Sequence, residues 1–318
     1  MRLILGLVLV LLLAVAGYVA VTGYLLARAA SGILTVGPLA AALATTEPPA
    51  DPLALGFRGD PMAALSLPFE TVTLDTALGP TEAWYVPATG AEVGRAVYVH
   101  GIAGAREDGY RHLSMLHAAG WSVLMISYRN DAGAPPAPEG RYGFGLLEWR
   151  DLEAAVAQAA PGPEGPGVLV VAESMGGAIL GQFLARSDLA GRVAAVALDS
   201  PAISFRAVIN HLAEASDRPL PGPMAWVAGR LLPRMTGLPL GEAEVDEVYA
   251  RFAGPLFIAH GSGDRIVPIA PSQALAAARQ GQTATFSTGA DHLGSYAEDP
   301  DGYRAAFAGF LAGLGRRP

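Results

Sequence analysis

The stretch GVLVVAESMGG, residues 167–177, begins as a short apolar run and ends in a serine followed by a methionine and two glycines. An apolar run of this length predicts a strand that is buried on both faces. The residues from Gly176 to about Arg186 are typical of a helix, so the pattern predicts a strand, a tight turn at Ser174 and a helix. Small residues on both sides of the serine favour such a turn, because larger side chains would collide there.

Short apolar runs separated by helical segments recur through most of the chain. The predicted strands lie at 70–76, 81–86, 95–101, 122–128, 167–174, 192–200, 254–261 and 283–288, and the predicted helices at 110–119, 144–159, 176–186 and 300–311. The first two strands are predicted to be antiparallel, and the others to form a parallel sheet with helices on both faces. The sequence therefore predicts a doubly wound α/β domain over residues 69–318.

One interval, between Ser200 and Ala253, interrupts this alternation. It contains helical patches at about 205–215, 224–232 and 242–251, separated by several prolines. The interval is too long for an ordinary connection between strands, and insertions of this length often cover a functional site. We predict a helical cap at about 201–253.

The N-terminal segment carries no charge between Arg2 and Arg28. This run exceeds the roughly 20 residues that span a bilayer as a helix, and also the roughly 7–15 apolar residues of a cleaved signal peptide. We predict a transmembrane signal anchor at 1–28, with a cleaved signal peptide as the alternative. Residues 29–68, rich in alanine, glycine and proline, predict a connector. The chain is then a single-pass membrane protein, with the extracytoplasmic side favoured for its catalytic domain.

The composition excludes several kinds of chemistry. The chain of 318 residues has no cysteine and no lysine, which excludes a cysteine nucleophile, a thiolate metal site, Schiff-base chemistry and a P-loop lysine. The net charge of −8 argues against a nucleic-acid partner, which requires a basic surface. No metal spacing such as H-E-x-x-H and no complete dinucleotide fingerprint occurs in the sequence. We therefore predict no cofactor and no bound metal.

Ser174 has two interpretations: it caps the following helix, or it is a nucleophile on a strained turn. A nucleophilic serine needs a histidine base, an acid that orients the histidine, and two donors for the oxyanion. His292, in GADHLGSY at 289–296, is the candidate base because it follows the last predicted strand at the carboxyl edge of the sheet. The other histidines are expected to have structural roles.

The candidate acid is Asp264, in HGSGDRIVP at 260–268, because this loop follows a predicted strand and lies on the same edge. Asp199, at the end of the preceding strand, is the alternative. The predicted oxyanion donors are the backbone N–H groups of Met175, which follows the serine, and of Ile102 in HGIAG at 100–104. Serine, acid and histidine then follow one another along the chain, each at a strand end.

These motifs carry a resemblance to a known family. AWYVPA at 83–88, HGIAGAR at 100–106, ISYRNDAGAP at 126–135, AESMGG at 172–177 and HGSGDRIVP resemble α/β-hydrolases, and more narrowly the membrane-tethered Bem46-type proteins. The resemblance implies an eight-stranded core, a triad of Ser174, Asp264 and His292, oxyanion donors at Met175 and Ile102, and no cofactor. Ala172 departs from the first glycine of the G-x-S-x-G pattern.

The expected function is that of a serine hydrolase which cleaves carboxylic esters or thioesters of small molecules or lipids through an acyl-enzyme. One alternative is a serine peptidase of prolyl-oligopeptidase-like type, in which Glu242, Glu244 and Asp246 of the cap would face the amino terminus of a substrate. Another is a non-catalytic, membrane-tethered binding protein that has kept the hydrolase fold. Glu173 is expected to turn away from the site, and the loop at 128–149 to support its edge through ion pairs.

Overall fold

The computed structural model describes residues 1–43, 48–160 and 167–314. Parts of the predicted connector (44–47) and of the predicted α/β domain (161–166 and 315–318) lie outside the described residues.

Eight strands form one sheet in the order β1-β2-β4-β3-β5-β6-β7-β8. Their bounds are β1 Glu70–Thr76, β2 Gly79–Val86, β3 Gly94–Val99, β4 Trp121–Ile126, β5 Val168–Glu173, β6 Val193–Asp199, β7 Leu256–Gly261 and β8 Thr283–Thr288. The pairs β1–β2 and β2–β4 are antiparallel and the remaining pairs are parallel. The predicted eight-stranded, mostly parallel sheet is confirmed.

Helices cover both faces of the sheet. The helices of the described residues are α1 Arg2–Ile33, α2 Pro38–Leu43, α3 Pro61–Leu65, α4 Tyr110–Ala118, α5 Trp149–Ala159, α6 Met175–Arg186, α7 Phe205–Glu214, α8 Pro221–Thr236, α9 Asp246–Arg251, α10 Ala270–Ala278, α11 Ser295–Glu298 and α12 Pro300–Leu314. Alternate residues of the central strands face opposite layers: Val97 and Val99 pack with α5 and α6, whereas Ala96 and Tyr98 pack with α4 and α12. Both layers are apolar, as a doubly covered parallel sheet requires.

The interval between β6 and β7 is helical and contains α7, α8 and α9. Two of these helices differ clearly from the prediction in their bounds. Helix α8 begins at Pro221, because proline is compatible with the first turn of a helix, and it continues beyond Pro233. Helix α9 begins only at Asp246, because Leu240–Glu242 form a separate 3₁₀ turn.

Helix α5 also begins later than predicted. Phe144 and Gly145 have positive φ angles of 50° and 88°, which are incompatible with a helix there. The buried carboxylate of Glu148 accepts hydrogen bonds from the backbone N–H groups of Gly143 (2.6 Å) and Gly145 (3.0 Å). This loop places Phe144 beside Ser174.

Helix α1 is longer than the predicted apolar span and continues to Ile33, through the first residues of the predicted connector. It is long and apolar enough to cross a membrane, with a mean hydropathy of 2.9 over its most apolar window. Residues 1–17 are exposed. From Thr22 onward, one face of the helix is buried against α8.

Candidate active site

Ser174 lies in a tight turn between β5 and α6. Its φ and ψ angles are 50° and −119°, a conformation that costs a non-glycine residue strain energy. The turn is crowded: a Cβ atom on Gly176 would lie 2.5 Å from the carbonyl oxygen of Val99, and one on Gly177 would lie 2.8 Å from Pro201 Cβ. The Ser174 side chain makes no capping hydrogen bond to α6, so its hydroxyl is available to another group.

His292 is that group. Its Nε2 atom lies 2.9 Å from Ser174 Oγ, and its Nδ1 atom lies 2.7 Å from Asp264 Oδ2. The carboxylate can only accept, so Nδ1 carries the proton and Nε2 accepts the hydrogen bond from the serine hydroxyl. Three strand ends thus bring together the serine, the histidine and the aspartate that the sequence analysis selected.

Asp264 is held by donors on both oxygens. Oδ1 accepts from the backbone N–H groups of Ile266 (2.9 Å) and Val267 (2.8 Å), and Oδ2 lies 3.1 Å from His260 Nε2. Burial raises the pKa of Asp264, but hydrogen bonds from His260 and His292 outweigh it and hold the pKa well below its usual range. The acid is therefore a carboxylate throughout the neutral range. His260, expected only to be structural, fixes the orientation of the acid.

The HGIAG segment passes directly beside the serine. A Cβ atom on Gly101 would lie 2.9 Å from Ser174 Cβ, so only glycine permits this approach. Ile102 and Met175 both line the cavity at Ser174, and their backbone N–H groups have no backbone acceptor among the described residues. Two free donors beside a serine hydroxyl suit an oxyanion.

The loop after β4 supports this segment. The ring of His100 stacks on Tyr128 at 4.2 Å, and its Nε2 atom lies 2.9 Å from Asp131 Oδ2. The Tyr128 hydroxyl donates to the carbonyl oxygen of Gly101 (2.8 Å). Behind them, Arg129 forms a two-pronged ion pair with Asp151. The loop holds the site's edge through stacking as well as the ion pairs expected from the sequence.

A network of buried charges lies behind Ser174. Arg111 Nη2 is 2.7 Å from Glu173 Oε1 and 3.5 Å from Asp199 Oδ2, and all three side chains are almost fully buried. Burial raises the pKa of Glu173, but the charge of Arg111 and a hydrogen bond from His112 bring it below its ordinary value. Asp199, the alternative acid, belongs to this network, where it accepts a hydrogen bond from Tyr303 (3.1 Å).

The ligand atoms of His112, Glu173 and Asp199 lie close enough together to suit a metal ion. The guanidinium of Arg111 already supplies positive charge to both carboxylates, so the cluster has its cation within the chain. Sequence reasoning missed Arg111 and expected only a structural role for His112; the two are adjacent on α4 and far from both carboxylates along the chain. The expectation that Glu173 turns away from the site agrees with this geometry.

An apolar cavity of about 90 Å³ opens at Ser174. Larger surface clefts of about 690 and 990 Å³ lie elsewhere, and none of the three triad candidates lines them. Glu242, Glu244 and Asp246, the carboxylates of the predicted cap, do not line the cavity at Ser174. Glu244 instead accepts hydrogen bonds from the Ser204 hydroxyl and the Arg206 backbone N–H at the start of α7.

No protein-family model and no curated protein matches the sequence. Solved structures do match: an esterase from Pyrococcus furiosus is 18% identical over 84% of this chain and 96% of its own, with a TM-score of 0.63. A bromoperoxidase from Bacillus anthracis is 18% identical over 76% of this chain and 100% of its own, with a TM-score of 0.53. An esterase from Exiguobacterium antarcticum is 14% identical over 76% of this chain and 100% of its own, with a TM-score of 0.54.

These structures are similar to the chain in fold, and that fold is the α/β-hydrolase fold. The narrower resemblance to Bem46-type proteins stays a prediction.

Proposed function

We propose that the protein is a serine hydrolase that cleaves carboxylic esters or thioesters through an acyl-enzyme on Ser174. The observation that carries this proposal is the hydrogen-bonded chain from Asp264 through His292 to Ser174, whose serine lines an apolar cavity. A strained serine, a histidine of defined tautomer and an ionised acid together make a competent nucleophile.

In the first half-reaction, Ser174 Oγ attacks the carbonyl carbon of the ester while His292 Nε2 takes the hydroxyl proton. The carbonyl oxygen becomes an oxyanion and accepts hydrogen bonds from the N–H groups of Ile102 and Met175. Collapse of this intermediate breaks the bond to the leaving oxygen or sulfur, which receives the proton from His292. The product is the free alcohol or thiol and an acyl group esterified to Ser174.

In the second half-reaction, His292 takes a proton from water, and the water oxygen attacks the acyl carbon. Collapse returns the proton to Ser174 Oγ and releases the carboxylic acid. Asp264 stays ionised throughout, because its pKa is held low, and it stabilises the protonated imidazole in both halves.

An activity-based probe tests the nucleophile. We expect a fluorophosphonate to label the full-length, detergent-solubilised protein, and Ser174→Ala to lose both labelling and turnover of p-nitrophenyl esters. Ser114→Ala, at a serine on α4 that does not line the cavity, is the matched control and should behave as wild type. Equal labelling of wild type and Ser174→Ala would remove Ser174 from the mechanism. A folded protein that binds esters without turnover or labelling would instead be the non-catalytic binding protein.

We also infer that α1 is an uncleaved membrane anchor with the catalytic domain on the extracytoplasmic side. The length and hydropathy of Arg2–Ile33 support this role. The protein should resist extraction from membranes by alkaline carbonate, and its intact mass should include residues 1–28. A mature chain that begins near Ala29 would favour the signal peptide, and protection of the domain from protease added to intact cells would place it in the cytoplasm.

A further inference from the structure

The cavity at Ser174 has a wall that the catalytic domain does not supply. Ala30, Ile33 and Leu34, at the C-terminal end of α1, line the cavity together with Ser174 and Met175. Helix α7 of the cap contributes a second apolar wall through Val208 and Leu212. The helix that carries the apolar N-terminal span therefore ends at the nucleophile.

Close packing holds α1 in this position. A Cβ atom on Gly23 would lie 2.6 Å from Val227 Cβ and 2.9 Å from the carbonyl oxygen of Met224, so the backbones of α1 and α8 approach closely. Farther down the helix, Arg141 donates hydrogen bonds to Ser31 and Thr35. The position of α1 is thus fixed by contacts at both ends of its buried face.

The chemistry of the lining restricts what can bind. Apart from the Ser174 hydroxyl, every side chain that lines the cavity is apolar, so a charged group would lose its hydration there without gaining a partner. A cavity of about 150 Å³ holds a benzene molecule, so a volume of 90 Å³ fits an acyl chain of about three to four carbon atoms.

We propose that the C-terminal turn of α1 forms one wall of the acyl pocket, and that this wall limits the substrate to esters of short, uncharged, apolar acids. The proposal rests on the proposed hydrolase function and names its substrate class. Ile33 and Ala30 both line the pocket, so a smaller side chain at position 33 should enlarge it and a larger one at position 30 should constrict it. Loss of α1 would open the pocket to solvent.

Chain-length profiles of full-length variants test the wall. Wild type should prefer p-nitrophenyl propionate and butyrate over hexanoate and octanoate. Ile33→Ala removes three carbons from a side chain that is 38% exposed, so the protein should still fold. Each methylene that the enlarged pocket buries is worth about fourfold in affinity, so the ratio of kcat/KM for hexanoate to that for butyrate should rise by up to about 15-fold.

Two matched controls, Leu25→Ala for Ile33→Ala and Ala29→Leu for a second wall variant, Ala30→Leu, lie on the same helix. Leu25→Ala shortens an exposed side chain that does not line the cavity, and it should leave the hexanoate-to-butyrate ratio within twofold of wild type. Ala30→Leu should lower kcat/KM for butyrate at least tenfold relative to acetate, whereas Ala29→Leu, on the exposed neighbour, should not.

An unchanged hexanoate-to-butyrate ratio in Ile33→Ala, with esters still hydrolysed, would overturn the proposal that α1 forms a wall of the pocket (the α1 wall) and leave the hydrolase function intact. A wild-type preference for octanoate would overturn the assignment of short-chain esters as the substrate class. A protein that neither hydrolyses esters nor reacts with the fluorophosphonate would overturn the proposed function, and the acyl pocket with it.

Discussion

Replacing Arg111 by methionine is expected to destabilise the protein strongly. The guanidinium lies between Glu173 and Asp199, whose Cα atoms are direct partners in the β5–β6 register. Methionine keeps most of the apolar volume but leaves two buried carboxylates facing each other without their guanidinium. Removing one partner from a buried ion pair costs about 3–5 kcal/mol.

The expected shift in Tm follows from the size of the protein. Unfolding entropy is about 2.1 cal/mol/K per residue, which amounts to about 0.67 kcal/mol/K for a chain of 318 residues. A loss of 3–5 kcal/mol therefore lowers Tm by about 4–7 °C. Glu173→Gln should cost less, about 1–3 kcal/mol, because Arg111 keeps Asp199 as its partner. The double variant should be more stable than Arg111→Met alone, since only one carboxylate is left unpaired.

Calorimetry or circular dichroism of the detergent-solubilised protein at neutral pH measures these shifts. Arg251→Met is the control, because the exposed pair of Arg251 with Glu247 should contribute less than about 1 kcal/mol. A Tm for Arg111→Met within 1 °C of wild type, or exact additivity of the two substitutions, would refute the network of coupled charges.

Three further substitutions test the site itself. Asp264→Asn should lower kcat/KM for p-nitrophenyl butyrate by about 10⁴-fold, because the amide no longer fixes the tautomer of His292; retention of more than a tenth of the activity would contradict the assignment. The lowered pKa of Asp264 means that its stabilising contribution is complete above the ordinary carboxyl range and is lost as pH falls toward the folded-state pKa, so the fall of Tm below about pH 4 should be shallower in Asp264→Asn than in wild type. Gly101→Ala should lower kcat at least tenfold, because its Cβ would lie 2.9 Å from Ser174 Cβ; an unchanged kcat would mean that the segment can move away. Ala172→Gly should leave kcat/KM within a few fold, with a loss of about 1–2 kcal/mol of stability from the buried methyl and the freer backbone, and a collapse of activity would show that the turn depends on alanine.

The strands could be predicted closely, because the central ones are short apolar runs and the edge strands β1 and β8 alternate polar and apolar residues. Helix ends were less predictable. Proline ends a helix at some positions and begins one at others, and the difference at Pro221 depends on the left-handed conformation of Leu220 before it. The start of α5 depends on the positive φ angle of Phe144, and phenylalanine is not a residue type that indicates such an angle.

The candidate triad could be predicted because its three residues follow the carboxyl ends of parallel strands, which meet at one edge of the sheet. The charge network could not, because Arg111 contacts Glu173 and Asp199 only through the packing of α4 on the sheet. The α1 wall could not be predicted for the same reason: composition placed Ala30 and Leu34 in a connector and gave no sign of α7 beside them.

The contact between α1 and α8 has a geometric consequence for an inserted helix. An upright helix crosses a hydrocarbon layer of about 30 Å with about 20 residues, which places Val21 near its boundary. Ile33 then lies about 18 Å farther along the axis, beyond a headgroup layer that is about 5–8 Å deep. For the proposed anchor, the contact of α1 with α8 keeps the domain from tilting down on a loose tether and holds the proposed nucleophile Ser174 at a fixed height in the water above the lipid. Small esters that diffuse in solution reach that height, whereas the carbonyl of a lipid at rest in its leaflet stays below it.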